Sequence, residues 1–423
     1  MIISPNVRYI AIQIIEKIIY GNQSRDTLVN EYFQGLNNRE KNLAFNIILN
    51  TLRFKEVFDE IIKLELKIPI FKFDRLVLIA IEVYLAQFIT MDKIPIYAAV
   101  SETIEAYKLA TNNSRGTGFL NYSLKRLTDS KSLKEKFEIF KGDNNLLKSL
   151  IKELNKEIPE EEFQAIYKSS FEKPNTTIRI RTDIKQIKQR LLENSIEFEE
   201  SKIVPQALII KDSSIIKKIS EILPQNSFVI QSELSQLAAY LLDIQDNDTV
   251  LDVCSGNQIK STQIFEIKKG KVNITSIDIK NINEPKFQFI NADAAKVKLN
   301  AQFDKIIIDA PCSGIGTLSQ NPEIKFRLNR RAIKRFASIQ YKILKNIANY
   351  LKREGNLLYS VCTLTKSETV NLIKNFIEEN PQFEIIKPSM NNPKLRRFID
   401  KDGLIKIFNY NNNSFFYALL KRK

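Results

Sequence analysis

The chain has 423 residues, a formal net charge of +15, three cysteines and no histidine. The lack of histidine excludes Ser-His and Cys-His catalytic pairs and histidine-ligated metal sites. The sequence also lacks the Cys-x-x-Cys pair that would indicate a zinc site. The basic excess favours a polyanionic partner, and the odd cysteine count is typical of a reducing compartment, so we expect a soluble, cytosolic protein.

Residues 1–135 predict a helical domain. Apolar residues recur at helical spacing within 10–18, 43–52 and 77–88, and polar or proline-marked turns separate these segments. The stretch 10–19 also contains Gln13, Glu16 and Lys17, so it predicts an amphipathic helix and not a signal peptide or a membrane span. The charged stretch 128–136 predicts a domain boundary.

Residues 145–225 predict a small α+β module. Strand-like patterns lie at 176–182, 196–200, 206–211 and 227–231, and helical patterns lie at 184–194 and 215–222.

Residues 226–423 predict a Rossmann-like α/β domain with a largely parallel, doubly wound sheet, because strands and helices alternate along them. The expected strands are 249–254, 272–278, 286–291, 304–309, 356–361, 383–387 and an antiparallel 414–420. The expected helices are 234–242, 260–268, a basic helix within 325–353, and 366–378. Only residues 279–285 separate the second and third strands, too few for the usual crossover helix of roughly ten or more residues.

Each cysteine follows a strand-like apolar run, and the three runs end at Cys254, Cys312 and Cys362. Side chains just past the carboxyl ends of parallel strands line the ligand crevice, so the three thiols are predicted to face one pocket. A lone buried cysteine is more commonly a small hydrophobic residue. The second and third, however, lie within Asp-Ala-Pro-Cys-Ser-Gly and Tyr-Ser-Val-Cys-Thr-Leu, and for the set we favour a functional interpretation.

Four aspartates are expected at the same edge of the sheet. Asp278 ends the second strand, where a carboxylate can accept both hydroxyls of a ribose, and Asp293 follows the third strand, where it could meet an adenine amine. Together with Asp252 and Asp309 they predict an adenosine cofactor site. The structural alternative for each one alone is a helix cap.

The segment 325–353 contains ten basic residues and no acidic one. Apolar residues at 332, 336, 339, 343, 347 and 350 follow helical spacing and predict a buried stripe with the basic residues opposite. A merely solvated face usually mixes both signs of charge, so we favour contact with nucleic acid. The residues assigned to this contact are Lys325, Arg327, Arg330, Arg331, Lys334 and Arg335.

These motifs resemble those of a known family. Residues 309–317, Asp-Ala-Pro-Cys-Ser-Gly-Ile-Gly-Thr, and 359–363, Tyr-Ser-Val-Cys-Thr, are similar to the paired-cysteine motifs of the Sun/Fmu-type RNA cytosine-5 methyltransferases. The resemblance extends to 231–241, 321–325 and 415–416, and segments 100–106 and 119–124 are similar to NusB-type RNA-binding domains. It covers nearly the whole chain and implies the architecture of the bacterial branch that acts on small-subunit (16S) ribosomal RNA.

The resemblance implies S-adenosylmethionine as the cofactor and gives roles to the site residues. Cys362 matches the nucleophile of the family, and Cys312 matches the cysteine that assists elimination and release. A nucleophile is needed because carbon 5 of cytosine reacts poorly until a thiolate adds to carbon 6. Asp309 and Lys260 are expected to bind the cytosine edge, and Cys254 matches a position in the cofactor loop.

The cofactor loop departs from the family pattern. The family usually reads Cys-Ala-Ala-Pro-Gly-Gly-Lys-Thr, whereas residues 254–261 read Cys-Ser-Gly-Asn-Gln-Ile-Lys-Ser. Gln258 and Ile259 therefore occupy the glycine positions, and we expect Gly256 to make the turn beside the cofactor. Further along, Thr365 and Glu368 fit a capping box that opens the next helix.

Two other functions are left open. A degenerate family member could bind ribosomal RNA as an assembly factor without methyl transfer, which the altered loop and the missing crossover helix favour. Alternatively, the helical domain could be an antitermination-like binding module on an inert scaffold. Because both cysteine motifs are intact, we favour the enzyme, with ribosomal RNA as partner, no membrane or metal, and a monomeric chain.

Overall fold

The computed structural model describes residues 6–112, 115–143, 145–146, 148–389 and 393–423. These residues form two compact units. The first comprises the described residues up to Glu153 together with Phe163–Glu172 and Leu318–Leu328, and the second comprises Leu154–Glu162, Lys173–Thr317 and the described part of Asn329–Lys423.

The first unit is built from helices, as the apolar spacing predicts. The helices from the N-terminus up to residue 170 are α1 (Val7–Ile19), α2 (Arg25–Tyr32), α3 (Asn38–Leu66), α4 (Arg75–Thr90), α5 (Ile96–Thr111), α6 (Thr117–Thr128), α7 (Leu133–Lys141), α8 (Lys148–Leu154) and α9 (Glu160–Ser170). The longest, α3, begins with a capping box in which the Asn37 side chain accepts from the Glu40 backbone N–H and the Glu40 carboxylate accepts from the Asn37 N–H. Its apolar face packs with α1 and α4 in a continuous buried core.

The helical region extends beyond the predicted end at residue 135. The charged stretch 128–136 is a turn and the start of α7, and Ser130 Oγ donates to Glu65 Oε1 at 2.8 Å. Beyond this turn, Phe137, Tyr167 and Phe171 belong to the same apolar core as α1 to α6. The Lys136 ammonium at this turn also pairs with Glu65, and the compact first unit continues past the stretch.

The α+β module has the predicted elements, with shorter strands. They are β1 (Thr176–Ile180), α10 (Ile184–Glu193), β2 (Glu199–Glu200), β3 (Ala207–Ile210), α11 (Ile216–Ile222) and β4 (Phe228–Ile230). The strands form an antiparallel sheet in the order β2-β3-β1-β4. The expected strand 196–200 is reduced to its last two residues, and the Ile196 N–H donates instead to the Leu191 carbonyl at the end of α10 at 2.9 Å.

The rest of the second unit is a mixed sheet in the order β10-β12-β9-β8-β5-β6-β7, with β11 paired to β12. Its elements are α12 (Glu233–Leu241), β5 (Thr249–Val253), α13 (Ile259–Ile267), β6 (Asn273–Asp278), β7 (Gln288–Asn291), β8 (Phe303–Asp309), α14 (Arg330–Ile347), β9 (Leu351–Val361), α15 (Val370–Glu379), β10 (Phe383–Ile385), α16 (Pro393–Arg396), β11 (Ile405–Tyr410) and β12 (Asn413–Arg422). Strands β5 to β9 pair in parallel, and β12 is antiparallel to β9 as predicted. The doubly wound α/β prediction is therefore confirmed.

Three details differ from the prediction for this sheet. Strand β9 begins at Leu351 rather than at 356, β11 was not predicted, and the helix expected at 366–378 is a 3-10 turn at Lys366–Glu368 followed by α15. The missing crossover helix is confirmed, because residues 279–287 contain no helix and yet β6 and β7 pair in parallel.

None of the helices in the part of the chain described above is long and apolar enough to cross a membrane.

Candidate active site

The two predicted catalytic cysteines meet at the carboxyl ends of β8 and β9. The Cys312 and Cys362 sulfurs are 3.2 Å apart, within hydrogen-bonding distance for sulfur. A second link joins the two loops, since the hydroxyls of Ser313 and Thr363 are 2.9 Å apart. The hydrogen bond to Cys362, together with burial, raises the pKa of Cys312 well above its ordinary value. Cys312 therefore keeps its proton at neutral pH.

A buried carboxylate holds the Cys312 loop in place. Glu368 Oε1 accepts the backbone N–H of Ser313 at 2.8 Å and the side-chain amide of Gln340 at 2.9 Å. The same Gln340 amide also donates to the Pro311 carbonyl at 2.8 Å. Glu368 and Gln340 thus bind the residues on both sides of Cys312.

The predicted capping box at Thr365 is wrong. Thr365 Oγ1 donates to Glu368 Oε2 at 2.7 Å, and no side-chain cap bond forms at this turn. The carboxylate instead accepts from the Ser313 backbone and from Gln340 on α14. These partners are 55 and 28 residues away in sequence, so local spacing could not reveal them.

Gly316 brings the Cys312 loop against the end of β12. Its N–H donates to the Cys362 carbonyl at 3.0 Å. A Cβ at this position would lie 1.9 Å from the Ser414 carbonyl oxygen and 3.0 Å from that of Cys362. The close approach of three backbone segments therefore requires glycine.

Lys260 and Asp309 form an ion pair beside the thiols. The Lys260 ammonium donates to Asp309 Oδ2, and Ser360 Oγ donates to Asp309 Oδ1 at 3.0 Å. Burial would lower the pKa of Lys260, but the carboxylates of Asp309 and Asp252 outweigh it and raise that pKa. Lys260 is therefore a fixed positive charge, and the structure brings this predicted pair together.

The cofactor loop turns sharply between β5 and α13. Cys254, Gly256 and Gln258 have φ of 61°, 51° and 56°, so the turn expected at Gly256 is present and is shared with two non-glycine residues. Gly256 N–H donates to Asp278 Oδ2 at 2.8 Å, and Lys280 N–H donates to Asp278 Oδ1 at 2.8 Å. This carboxylate, at the end of β6, connects the loop to the residues that follow the strand.

Two buried polar atoms, Asp252 Oδ1 in β5 and Ser255 Oγ in the loop that follows, have no hydrogen-bond partner within the described chain. The other Asp252 oxygen accepts from Ser261 N–H at 3.1 Å and Ser261 Oγ at 2.6 Å. Burial raises the pKa of Asp252 to about 6. Unpartnered polar atoms beside a left-handed turn fit a polar ligand, since buried groups of this kind are normally hydrogen-bonded.

The remaining predicted cofactor residues lie around Cys254. Burial raises the pKa of the Cys254 thiol, and negative charge on four surrounding carboxylates raises it further. Those carboxylates are Asp278, Asp309, Asp252 and Asp293. Each of the four predicted aspartates thus contributes to the raised pKa of Cys254, and the unreactive thiol suits a structural role. Asp293 Oδ1 also accepts from Ala295 N–H at 2.9 Å.

The predicted RNA contact at Lys325 is wrong. Lys325 belongs to the first unit and is buried, and its ammonium donates to the Arg53 carbonyl at 3.0 Å and to Glu56. Arg327, in the same segment, donates to the Gln23 carbonyl. A buried, paired ammonium is not available to a phosphate.

Helix α14 keeps the rest of the basic surface. Arg331, Lys334 and Arg335 are exposed, and Arg330 is partly buried. The buried stripe is formed by Ile333, Gln340, Ile343, Leu344 and Ile347. Ile343 and Ile347 were predicted correctly, whereas Ile339 is 36% exposed.

Sequence reasoning missed Glu368 and Gln340 as functional residues. Gln340 could have been found from the sequence, because it is a polar residue within the apolar stripe of an amphipathic helix. A buried polar side chain of this kind usually has a hydrogen-bond partner. Among the residues described, no group of side chains is arranged to hold a metal ion.

The sheet order, the carboxylates after successive parallel strands and the apposed thiols define a Rossmann-like enzyme of the nucleotide-cofactor class. Residues 239–421 match the model of the family described as 16S rRNA methyltransferase RsmB/F, and residues 5–129 match the NusB family. The chain thus combines a region of the RsmB/F methyltransferase family with a region of the NusB family. It is a methyltransferase, and S-adenosylmethionine is its methyl donor.

The chain is similar over its full length to curated bacterial proteins. It is 26% identical to the probable ribosomal RNA small subunit methyltransferase B of Bacillus subtilis, with 99% of each chain covered. It is 25% identical to the ribosomal RNA small subunit methyltransferase B of Proteus mirabilis, again with 99% of each covered.

Two solved structures share the fold. The crystal structure of PH0851 aligns with a TM-score of 0.72 at 21% identity over 99% of both chains. The structure of NSun6 from Pyrococcus horikoshii aligns with a TM-score of 0.54 at 18% identity, covering 65% of this chain and 98% of that protein.

Proposed function

We propose that this protein methylates carbon 5 of a cytosine in small-subunit (16S) ribosomal RNA through a covalent bond between Cys362 and the base. The observation that carries the proposal is the 3.2 Å approach of the Cys312 and Cys362 sulfurs beside the Lys260–Asp309 ion pair. The names of the relatives from Bacillus subtilis and Proteus mirabilis support the class of RNA.

The hydrogen bond between the thiols supports Cys362 as the nucleophile. Cys312 retains its proton and can donate its S–H to Cys362, which stabilises a thiolate there. The thiolate adds to carbon 6 of cytosine, and the electron pair of the 5,6 double bond moves to carbon 5, which becomes nucleophilic toward a methyl group. The positive charge of Lys260, fixed by Asp309, stabilises the negative charge that develops on the base.

The second half of the reaction needs a base and a leaving group. S-adenosylmethionine, when bound, supplies the methyl group to carbon 5. A base then removes the proton from carbon 5, and the bond between carbon 6 and the Cys362 sulfur breaks as the ring regains its double bond. The proton of carbon 5 passes to solvent, and we assign Cys312 to the elimination as the group whose S–H hydrogen-bonds the departing Cys362 thiolate.

The cofactor is assigned to the loop that follows β5. Asp278 is the candidate acceptor for the ribose hydroxyls, since each of its oxygens has only one backbone donor at present and can accept another hydrogen bond. Asp252 Oδ1 and Ser255 Oγ are candidate contacts for the polar end of the cofactor. Asp293 is assigned to the adenine side.

Nucleoside mass spectrometry of small-subunit RNA after incubation with the protein and S-adenosylmethionine tests the proposal. The wild type should form 5-methylcytidine, and Cys362→Ser should form none while still binding the cofactor. A wild-type protein that binds the RNA but transfers no methyl group would instead favour an assembly-factor role. Methylation at another atom would contradict the cytosine-5 assignment.

A further inference from the structure

Gln258 occupies a glycine position of the family pattern, and its side chain makes specific contacts. The residue has left-handed φ and ψ of 56° and 32° and precedes α13. This conformation favours glycine, so a side chain here carries a conformational cost. Yet Gln258 is only 1% exposed, which means that its amide is packed inside the second unit.

The buried amide is hydrogen-bonded at both ends. Gln258 Nε2 donates to Ser276 Oγ at 2.6 Å, and Gln258 Oε1 accepts the backbone N–H of Lys286 at 2.7 Å. Ser276 Oγ in turn donates to the Gln288 carbonyl at 3.1 Å. One side chain therefore connects the cofactor loop, the middle of β6 and the short segment between β6 and β7.

That segment is the second departure from the family pattern. Residues 279–287 join two parallel strands without a crossover helix, so helix packing cannot fix their position. They are held instead at both ends to the cofactor loop: Asp278 binds Gly256 and Lys280, and Gln258 binds Lys286. The unusual glutamine and the missing helix thus belong to one arrangement.

We propose that Gln258 is a positioning residue for the cofactor: its amide holds the loop after β5 and the segment 279–287 at the spacing that lets Asp278 reach the ribose. The inference rests on the proposed placement of the cofactor at Asp278. It implies that glycine, the family residue, would not serve equally well at position 258.

Two substitutions separate the hydrogen bonds from the backbone conformation. Gln258→Gly relieves the left-handed strain and removes both bonds, whereas Gln258→Met keeps the side-chain volume and removes both bonds. We expect each to raise the KM for S-adenosylmethionine roughly tenfold, with kcat at saturating cofactor changed by less than about twofold. RNA affinity should not change.

A matched control is available in the first unit. Gln87 is also fully buried, with Nε2 donating to the Val83 carbonyl at 3.0 Å and Oε1 accepting from Arg8 at 2.9 Å. Gln87→Met should lower the melting temperature without changing the KM for S-adenosylmethionine. This control therefore separates a general loss of stability from a specific effect on the cofactor. Ser276→Ala should raise that KM, and combined with Gln258→Met it should add little, because both remove the same bond.

The outcomes distinguish this inference from the proposed function. If the wild type binds and uses S-adenosylmethionine and Gln258→Gly has the same KM, Gln258 is not a positioning residue and only this inference fails. If the substitutions lower kcat and leave KM unchanged, the residue acts elsewhere and the inference is again overturned. If calorimetry shows no binding of S-adenosylmethionine to the wild type, both this inference and the proposed function fail.

Discussion

Asp252 shows how burial and function oppose each other at a single side chain. The carboxyl is fully buried, one oxygen is satisfied by Ser261, and the other has no partner in the described chain. Its pKa of about 6 lies above the ordinary aspartate value of 3.8, because burial disfavours the charged form. A fold selected only for stability would not keep such a group, which agrees with a role toward a ligand.

The shifted pKa predicts a pH dependence of stability. In the folded chain the carboxyl holds its proton up to about pH 6, whereas in the unfolded chain it loses it near pH 4. Ionisation is thus easier in the unfolded state, and stability falls as pH rises from about 4 to 6, by at most about 3 kcal/mol. Chemical denaturation should show that the unfolding free energy of the wild type falls, relative to that of Asp252→Asn, as pH rises over this range. A pH-independent difference would mean that Asp252 is not neutral when buried.

Prediction of single residues from the sequence succeeded for side chains whose location follows from the end of a strand. The two cysteines, Lys260 and Asp309 were expected together and are together. It failed where a partner is a distant backbone group, as for Glu368 and Ser313 N–H. It also failed at Lys325, since a run of basic residues does not reveal that one of them is buried against Glu56.

Among the larger elements, the Cys312 loop that follows β8 is held both by backbone contacts and by side chains from other elements. The Cys312 loop lies against the ends of β9 and β12, and Gly316 is the point of closest approach. The same loop is fixed from α14 by Gln340 and from the turn after β9 by Glu368. Its geometry is therefore determined by elements that are far apart in sequence.

Gly316→Ala tests this packing without removing any reactive group. The added methyl would lie 1.9 Å from the Ser414 carbonyl oxygen, so the loop or β12 must move. We expect a loss of at least about 1–3 kcal/mol in stability and at least about a tenfold loss of methyl transfer. The control is Gly118→Ala in α6, where a Cβ meets nothing within 4 Å, and which should leave activity unchanged. Activity retained by Gly316→Ala would show that the loop adjusts freely.

Element prediction worked best for strands with continuous apolar runs and for helices with clear periodicity. Strand β11 was missed because 405–410 alternates weakly and depends on pairing with β12. Helices α8 and α9 were not predicted, and their residues were placed in the α+β module. Tertiary packing, which cannot be read from local sequence patterns, determines both the pairing of β11 and the packing of α8 and α9.

For the whole molecule, charge is the property that the sequence reports most directly. The net charge of +15 favours binding to a polyanion, and the exposed basic residues of α14 are the surface to which we assign part of that binding. Lys325 and Arg327 belong to a different unit from α14, and each donates to a backbone carbonyl within that unit.

RNA affinity should fall steeply as salt is added. Replacing Arg331, Lys334 and Arg335 with alanine should reduce the log–log slope of affinity against salt by about 2 to 3 units, if each neutralises one phosphate. Replacing Lys185, Lys217 and Lys218 of the α+β module removes the same charge and is the control. Equal effects from both triple variants in a filter-binding titration would mean that only net charge matters. No effect from the α14 variant would place the RNA elsewhere.

The most direct test of the account is to trap the covalent intermediate. In Cys312→Ala, Cys362 should add to the cytosine and the methyl group should transfer, but elimination should stall. A denaturing gel of this variant with small-subunit RNA and S-adenosylmethionine should therefore show a band of protein joined to RNA. Cys362→Ala and the double variant should show none. No band from Cys312→Ala, or a band from Cys362→Ala, would contradict the assigned roles of the two thiols.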